Sequence, residues 1–133
     1  MEYIAPRTIL LVDPDVIWTG ILRRHLTSAD YEPIITSTGR EGLEAMSREP
    51  AVILLELHLP DMPGLEFARR VRLSRSAGEI MLAALTCDER QQAVEDCLGE
   101  TFDHYLCKAS VTLPDILSVI RELRMRLPMP RTV

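Results

Sequence analysis

The strongest constraint on this chain is a repeated exchange between two kinds of segment. Short, uninterrupted apolar runs stop abruptly at a polar residue, and an amphipathic stretch follows. Thr8-Ile9-Leu10-Leu11-Val12 stops at Asp13, Ala51-Val52-Ile53-Leu54-Leu55 at Glu56, and Ile80-Met81-Leu82-Ala83-Ala84-Leu85 at Thr86. Runs of this length without polar alternation fit strands covered on both faces, as in a parallel sheet. Pro33-Ile34-Ile35-Thr36 and His104-Tyr105-Leu106-Cys107 are more mixed and read as edge strands. Pro33 has no N–H to give to a ladder, which suits an edge better than a centre.

The intervening segments carry the helical period. Trp18, Ile21, Leu22 and Leu26 recur at helical spacing. Thr38 to Arg48 carries Leu43 and Met46, with Thr38 as N-cap and Glu41 three residues on. Leu65, Ala68 and Val71 mark a third helix after Pro63-Gly64, and Ala93, Cys97 and Leu98 a fourth, with Asp88 near its start. The last helix is capped by Thr112 with Asp115 three residues on, and Leu113, Ile116, Leu117, Ile120 and Leu123 form one face. The order βαβαβαβαβα predicts an α/β doubly wound sandwich with right-handed crossovers and sites beyond the carboxyl ends of the strands. Asp13, Glu56, Thr86 and Lys108 stand at those ends.

Length and charge narrow the function classes. The chain has 133 residues, close to the size of one domain. A net charge of −5 argues against wrapping nucleic acid, whose phosphates require basic surface. No apolar run approaches the roughly 20 residues of a membrane span, and Met1 to Arg7 holds no signal-peptide core. The expectation is a cytoplasmic protein, with Cys87, Cys97 and Cys107 as reduced apolar fillers. Asp13-Pro14-Asp15 follows the first strand where a glycine-rich phosphate loop would have to sit. His25, His58 and His104 are scattered, the arginine clusters read as solvated helix faces, and Asp61 reads as turn chemistry.

The residues then resemble the receiver domain of bacterial response regulators, over roughly Arg7 to Leu127. Ile9-Leu10-Leu11-Val12-Asp13 resembles the family's first strand and acidic turn. Leu54 to Glu66, with Pro60-Asp61-Met62-Pro63-Gly64, resembles the segment carrying the phosphoacceptor. Thr86 lies 30 residues beyond Glu56, and Lys108 a further 22, which are the family's separations. The resemblance implies a flavodoxin-like fold, with a five-stranded parallel sheet in order 2-1-3-4-5 and five helices. It implies a receiver over residues 1–127, with 128–133 as a Pro-rich tail or the start of a linker. Glu56 would occupy the phosphoacceptor position. Asp13, with Asp15 as a substitute acid, would form the acidic pocket, and Asp13, Glu56 and the His58 backbone carbonyl the metal ligands. Thr86 and Lys108 would sense the phosphoryl group, and Tyr105 would be the switch aromatic.

The departures from the pattern bear on the chemistry. Glu replaces Asp at the acceptor position, and its carboxylate reaches about 1.5 Å further, one C–C bond. Pro14 replaces the second acid of the acidic pair, Pro63 the acid before Gly64, and Ala109 the proline after the lysine. A full site sums to −2, whereas Asp13, Glu56 and Lys108 sum to −1. Lys108 is the sole lysine among 15 basic residues, and it is expected to reach the Glu56 carboxylate. Mg²⁺ is accordingly expected to bind weakly or not at all. The function that follows is an atypical receiver, a protein–protein switch or scaffold rather than an enzyme. Its partner would be a sensor histidine kinase or another signalling protein, with a homodimer through the face of the fourth helix, fifth strand and fifth helix. The alternatives are a working Mg²⁺-dependent phosphoryl acceptor and, more remotely, a flavodoxin-like ligand-binding protein.

Overall fold

The computed structural model describes residues 6–74, 79–88, 90 and 101–127. Five strands, β1 (Thr8–Val12), β2 (Glu32–Thr36), β3 (Val52–Leu55), β4 (Met81–Thr86) and β5 (His104–Cys107), form one parallel sheet in the order β2-β1-β3-β4-β5. The apolar runs occupy its three central strands, and the mixed segments its edges, as their composition predicts. Alternate residues of each run enter opposite cores. Ile9, Leu11, Leu54, Met81, Ala83 and Leu85 pack with Leu22, Leu26, Ile116, Ile120 and Leu123. Leu10, Val12, Ile53, Leu55, Leu82 and Ala84, all inaccessible to solvent, pack with Phe67, Val71 and Phe102 on the other face.

Four α-helices cover the sheet among the described residues: α1 (Val16–Ser28), α2 (Gly39–Glu44), α3 (Gly64–Ser74) and α4 (Leu113–Met125). The helix expected around Ala93, Cys97 and Leu98 lies outside the described residues, as does the tail 128–133. Three local expectations need correction. Ile21 is 42% exposed, and the core face of α1 is instead Thr19, Leu22 and Leu26. Thr19 tolerates burial because its hydroxyl donates to the Asp15 carbonyl at 3.0 Å. The second helix is shorter than its pattern suggests, since Ala45–Arg48 tightens into a 3-10 turn that ends at Glu49 in the left-handed region. Thr86 closes β4 rather than following it.

The first and last described segments are fastened together. The Arg7 and Arg124 guanidinium carbons lie 4.8 and 5.2 Å from the centre of the buried Tyr31 ring. Arg124 Nε also donates to the Pro6 carbonyl at 2.8 Å.

Thr112 and Asp115 form a reciprocal cap at the start of α4. The Thr112 hydroxyl accepts from Asp115 N, and the Asp115 carboxylate from Thr112 N. Thr112→Ala should lower unfolding free energy by about 1 kcal/mol, the usual effect of losing a hydroxyl N-cap. Urea denaturation checks this, with a midpoint equal to the parent's as the contrary result.

Candidate functional site

The sheet's own ladder delivers three side chains to one place. Asp13 N donates to Thr36 O at 3.0 Å, Glu56 N to Val12 O at 2.9 Å, and Lys108 N to Thr86 O at 2.8 Å. Each residue is thus held by main-chain bonds one step past its strand. Thr86, fully buried, ends the strand between β3 and β5.

These four side chains meet. Lys108 Nζ lies 2.6 Å from Asp13 Oδ2 and 3.1 Å from Glu56 Oε2. Thr86 Oγ1 donates to Glu56 Oε1 at 2.9 Å, and His58 N approaches the same oxygen at 3.4 Å. Among the described residues, Oε2 meets no donor other than this ammonium. Asp13 and Glu56 are 5% and 8% exposed. Burial pushes the Asp13 carboxyl above its ordinary value, against the opposing pull of Lys108 and of the Asp15 N–H. Burial also disfavours the Lys108 charge, but the hydrogen bond and charge of Asp13, with those of Glu56, outweigh it, and the lysine titrates above its ordinary 10.5. Its ion pair therefore supports the fold wherever the carboxylates are ionised and pH lies below about 10.5, and it fades as pH rises through the elevated value. On its other side the ammonium lies 5.7 Å from the centre of the Trp18 ring.

Asp15 stands elsewhere than its expected pocket role would put it. Its Oδ1 accepts from Ile17 N and Trp18 N, both at 3.0 Å, and caps α1. What it contributes to the acidic cluster is its N–H, donated to Asp13 Oδ1 at 2.9 Å. Pro14 is exposed.

The model of the response regulator receiver domain matches residues 9–121. The chain belongs to that family. The receiver is 26% identical over 102 residues to the two-component response regulator ORR3 of rice, covering 75% of this chain and 78% of that protein. Its fold matches the CheY-like receiver of Methanospirillum hungatei JF-1 with TM-score 0.82 at 27% identity, over 92% of this chain and 97% of that one. It also matches the receiver domain of the sensor histidine kinase PA1611 of Pseudomonas aeruginosa PAO1, with TM-score 0.78 at 23% identity, over 91% and 99%.

Around the receiver's four central residues runs a second ring that the sequence did not announce. Asp88 N donates to Thr86 Oγ1 at 3.3 Å, and the Tyr105 hydroxyl donates to the Asp88 carbonyl. The Asp88 carboxylate pairs with Arg90 at 2.7 Å and His58 Nε2 at 3.2 Å. Arg90's hydrogen bonds, before any other cause, hold that carboxyl well below the usual range. Sequence reading took Asp88 for a helix start. The usable signal was symmetry, because His58 and Asp88 each stand two residues beyond a strand-end residue whose side chain enters the site. Asp61 was read as turn chemistry but acts at long range, accepting from Gly39 N at 2.8 Å and Arg40 N at 2.9 Å. Those N–H groups keep its carboxyl below its ordinary value and tie the β3–α3 loop to the start of α2.

Proposed function

We propose that this receiver is an atypical signalling switch in which Glu56 stands in place of an acyl phosphate. One observation supports the reading above the rest. The two oxygens of Glu56 take up the Thr86 hydroxyl and the Lys108 ammonium, the groups that the receiver pattern assigns to the phosphoryl oxygens. The longer side chain thereby brings its own negative charge to where a transferred group would bring its charge. Its partners are a sensor histidine kinase or another signalling protein in the cytoplasm. A second copy of the chain would dock through β5 and α4, which border a groove of roughly 570 Å³ lined by Tyr105, Cys107, Val111, Asp115 and Val119.

The second reading is Mg²⁺-dependent phosphoryl acceptance. It draws on the PA1611 receiver, which is described with a magnesium ion coordinated in its active site cleft. The residues here fit such an ion poorly. A hard divalent cation wants about six oxygens in near-octahedral order. Pro14 supplies no carboxylate, Oδ1 of Asp15 is engaged by helix N–H groups, and an ammonium lies between Asp13 and Glu56. The reading we favour therefore has Mg²⁺ weakly bound or absent. Intact-mass measurement after incubation with acetyl phosphate and Mg²⁺ separates the two. The parent protein is expected to gain no phosphoryl mass, and efficient gain of one group at Glu56 would overturn the proposal.

A further inference from the structure

We infer that Trp18 is a positioning residue for this pocket: its ring keeps the Lys108 ammonium on Glu56 and so holds the receiver in one state. The inference rests on the Glu56–Lys108 pairing used above and adds what maintains it.

The first support is the place of the ammonium. A lysine stem is long and flexible, and fixing it in one rotamer loses more conformational freedom than fixing most side chains. The Lys108 side chain is nevertheless 13% exposed. Its Nζ meets Asp13 at 2.6 Å and Glu56 at the looser 3.1 Å, and it stands over the Trp18 ring, 5.7 Å from the centre. Contact with Asp13 alone would satisfy charge attraction and leave the ammonium free to swing away from Glu56. A ring face within about 6 Å attracts a cation, and this further contact removes that freedom.

The second support is the kind of residue. Trp18 packs against the core that α1 and α4 share, where an aliphatic side chain would also be at home. Its Nε1 is buried and meets no acceptor among the described residues. A buried indole N–H usually finds a partner, and a buried donor without one costs stability. Packing alone therefore argues against tryptophan here. What the indole adds over an aliphatic residue is its face, the best cation-binding surface among the aromatic side chains.

The third support is that the ring is tied to the acid it assists. Trp18 N donates to Asp15 Oδ1 at 3.0 Å, and Asp15 N donates to Asp13 Oδ1 at 2.9 Å. The carboxylate that binds the ammonium, the cap of α1 and the residue carrying the ring are thus linked within residues 13–18. This gives the Asp15 cap a part in the pocket that its own carboxylate does not play.

The test exploits two unique groups, since the chain has one tryptophan and one lysine. Protein made with carbon-13 lysine gives a single Hε–Cε signal, which the ring should displace upfield in the parent. Trp18→Leu should return that signal to the position of free lysine, and Trp18→Phe should keep part of the displacement. Acylation of Lys108 by acetic anhydride at fixed pH, read by peptide mass, should run about two- to fivefold faster in Trp18→Leu, the population factor of an ordinary cation–π contact. Trp18→Phe should stay near the parent. Ile120→Val trims the same core but spares the ring, and should move neither readout. Should Trp18→Leu not fold, Trp18→Met serves in its place with the same expected changes. A parent signal at the free-lysine position, a folded Trp18→Leu with the parent's acylation rate, or an Ile120→Val that matches Trp18→Leu would overturn the inference. Failure of the functional reading looks different: a parent that accepts a phosphoryl group while both lysine readouts behave as expected sinks that reading and leaves this inference standing. A parent that stays unphosphorylated while Trp18→Leu matches it in both readouts does the reverse.

Discussion

Glu56→Asp alone should give only a small phosphorylated fraction with acetyl phosphate and Mg²⁺, and Glu56→Asp combined with Pro14→Asp clearly more. Phosphoryl transfer depends on positioning and on charge stabilisation, with little covalent work left to the protein. Glu56 moves the attacking oxygen by about one bond length, and misplacement near 1 Å can cost about a hundredfold. Shortening the side chain removes that fault, and it also releases Lys108 from one of its two acids. It leaves untouched the missing carboxylate at position 14, whose deficit bears on the metal that neutralises the transferring group. Pro14 is exposed, so an aspartate there meets no packing obstacle. The two changes act on one step, so their effects on rate should exceed the sum of the singles. Time-resolved intact mass at fixed acetyl phosphate decides the matter. Full activity from Glu56→Asp alone would show that position 14 is irrelevant to the chemistry.

Gly64→Ala should cost about 3 kcal/mol, the upper part of the usual overpacking range, and lower the melting temperature by roughly 10 °C. A Cβ on Gly64 would stand 2.6 Å from Leu57 Cα and 2.9 Å from the Glu56 carbonyl oxygen. Both are main-chain atoms and cannot swing aside as the end of a side chain can. Gly64 N also donates to the Leu57 carbonyl at 2.7 Å, so relief would have to break or bend the bond that closes the β3–α3 loop. Because that loop begins at Glu56, the damage should reach the pocket and weaken the Thr86–Glu56 hydrogen bond. Gly20→Ala is the matched control. Its Cβ meets nothing within 4 Å on α1, so the helical preference for alanine should stabilise by about 0.5–1 kcal/mol. Equal melting temperatures for the two variants would contradict the packing argument.

What could be read from the chain alone follows the physics of burial. A strand such as Val52–Leu55 shows itself because both its faces must be apolar, and no other short element demands that. Sheet order and the meeting of Asp13, Glu56, Thr86 and Lys108 follow from strand ends in a known type of sheet. Thr112 and Asp115 were legible because a helix cap is local. The misreadings fall where a distant partner decides. Ile21 fits the helical period as well as Thr19 does, and only the hydroxyl's bond to the Asp15 carbonyl lets the polar residue go inside. Asp15 could be a pocket acid or a cap, and the free N–H groups of α1 claimed it. Nothing near Asp61 in sequence hints at Gly39 and Arg40, since 22 and 21 residues separate them.

The clasp of Arg7, Tyr31 and Arg124 has a practical consequence. In a parallel sheet the pocket lies at the carboxyl ends of the strands, and α4 runs back against that direction. The bond from Arg124 in its last turn to the Pro6 carbonyl therefore lies at the floor of the sheet, away from Glu56. Fluorophores or affinity handles grafted beside Arg7 or Arg124 would sit at that floor and leave the pocket mouth unobstructed. Two dyes placed there would report on the clasp and stay blind to the carboxylates.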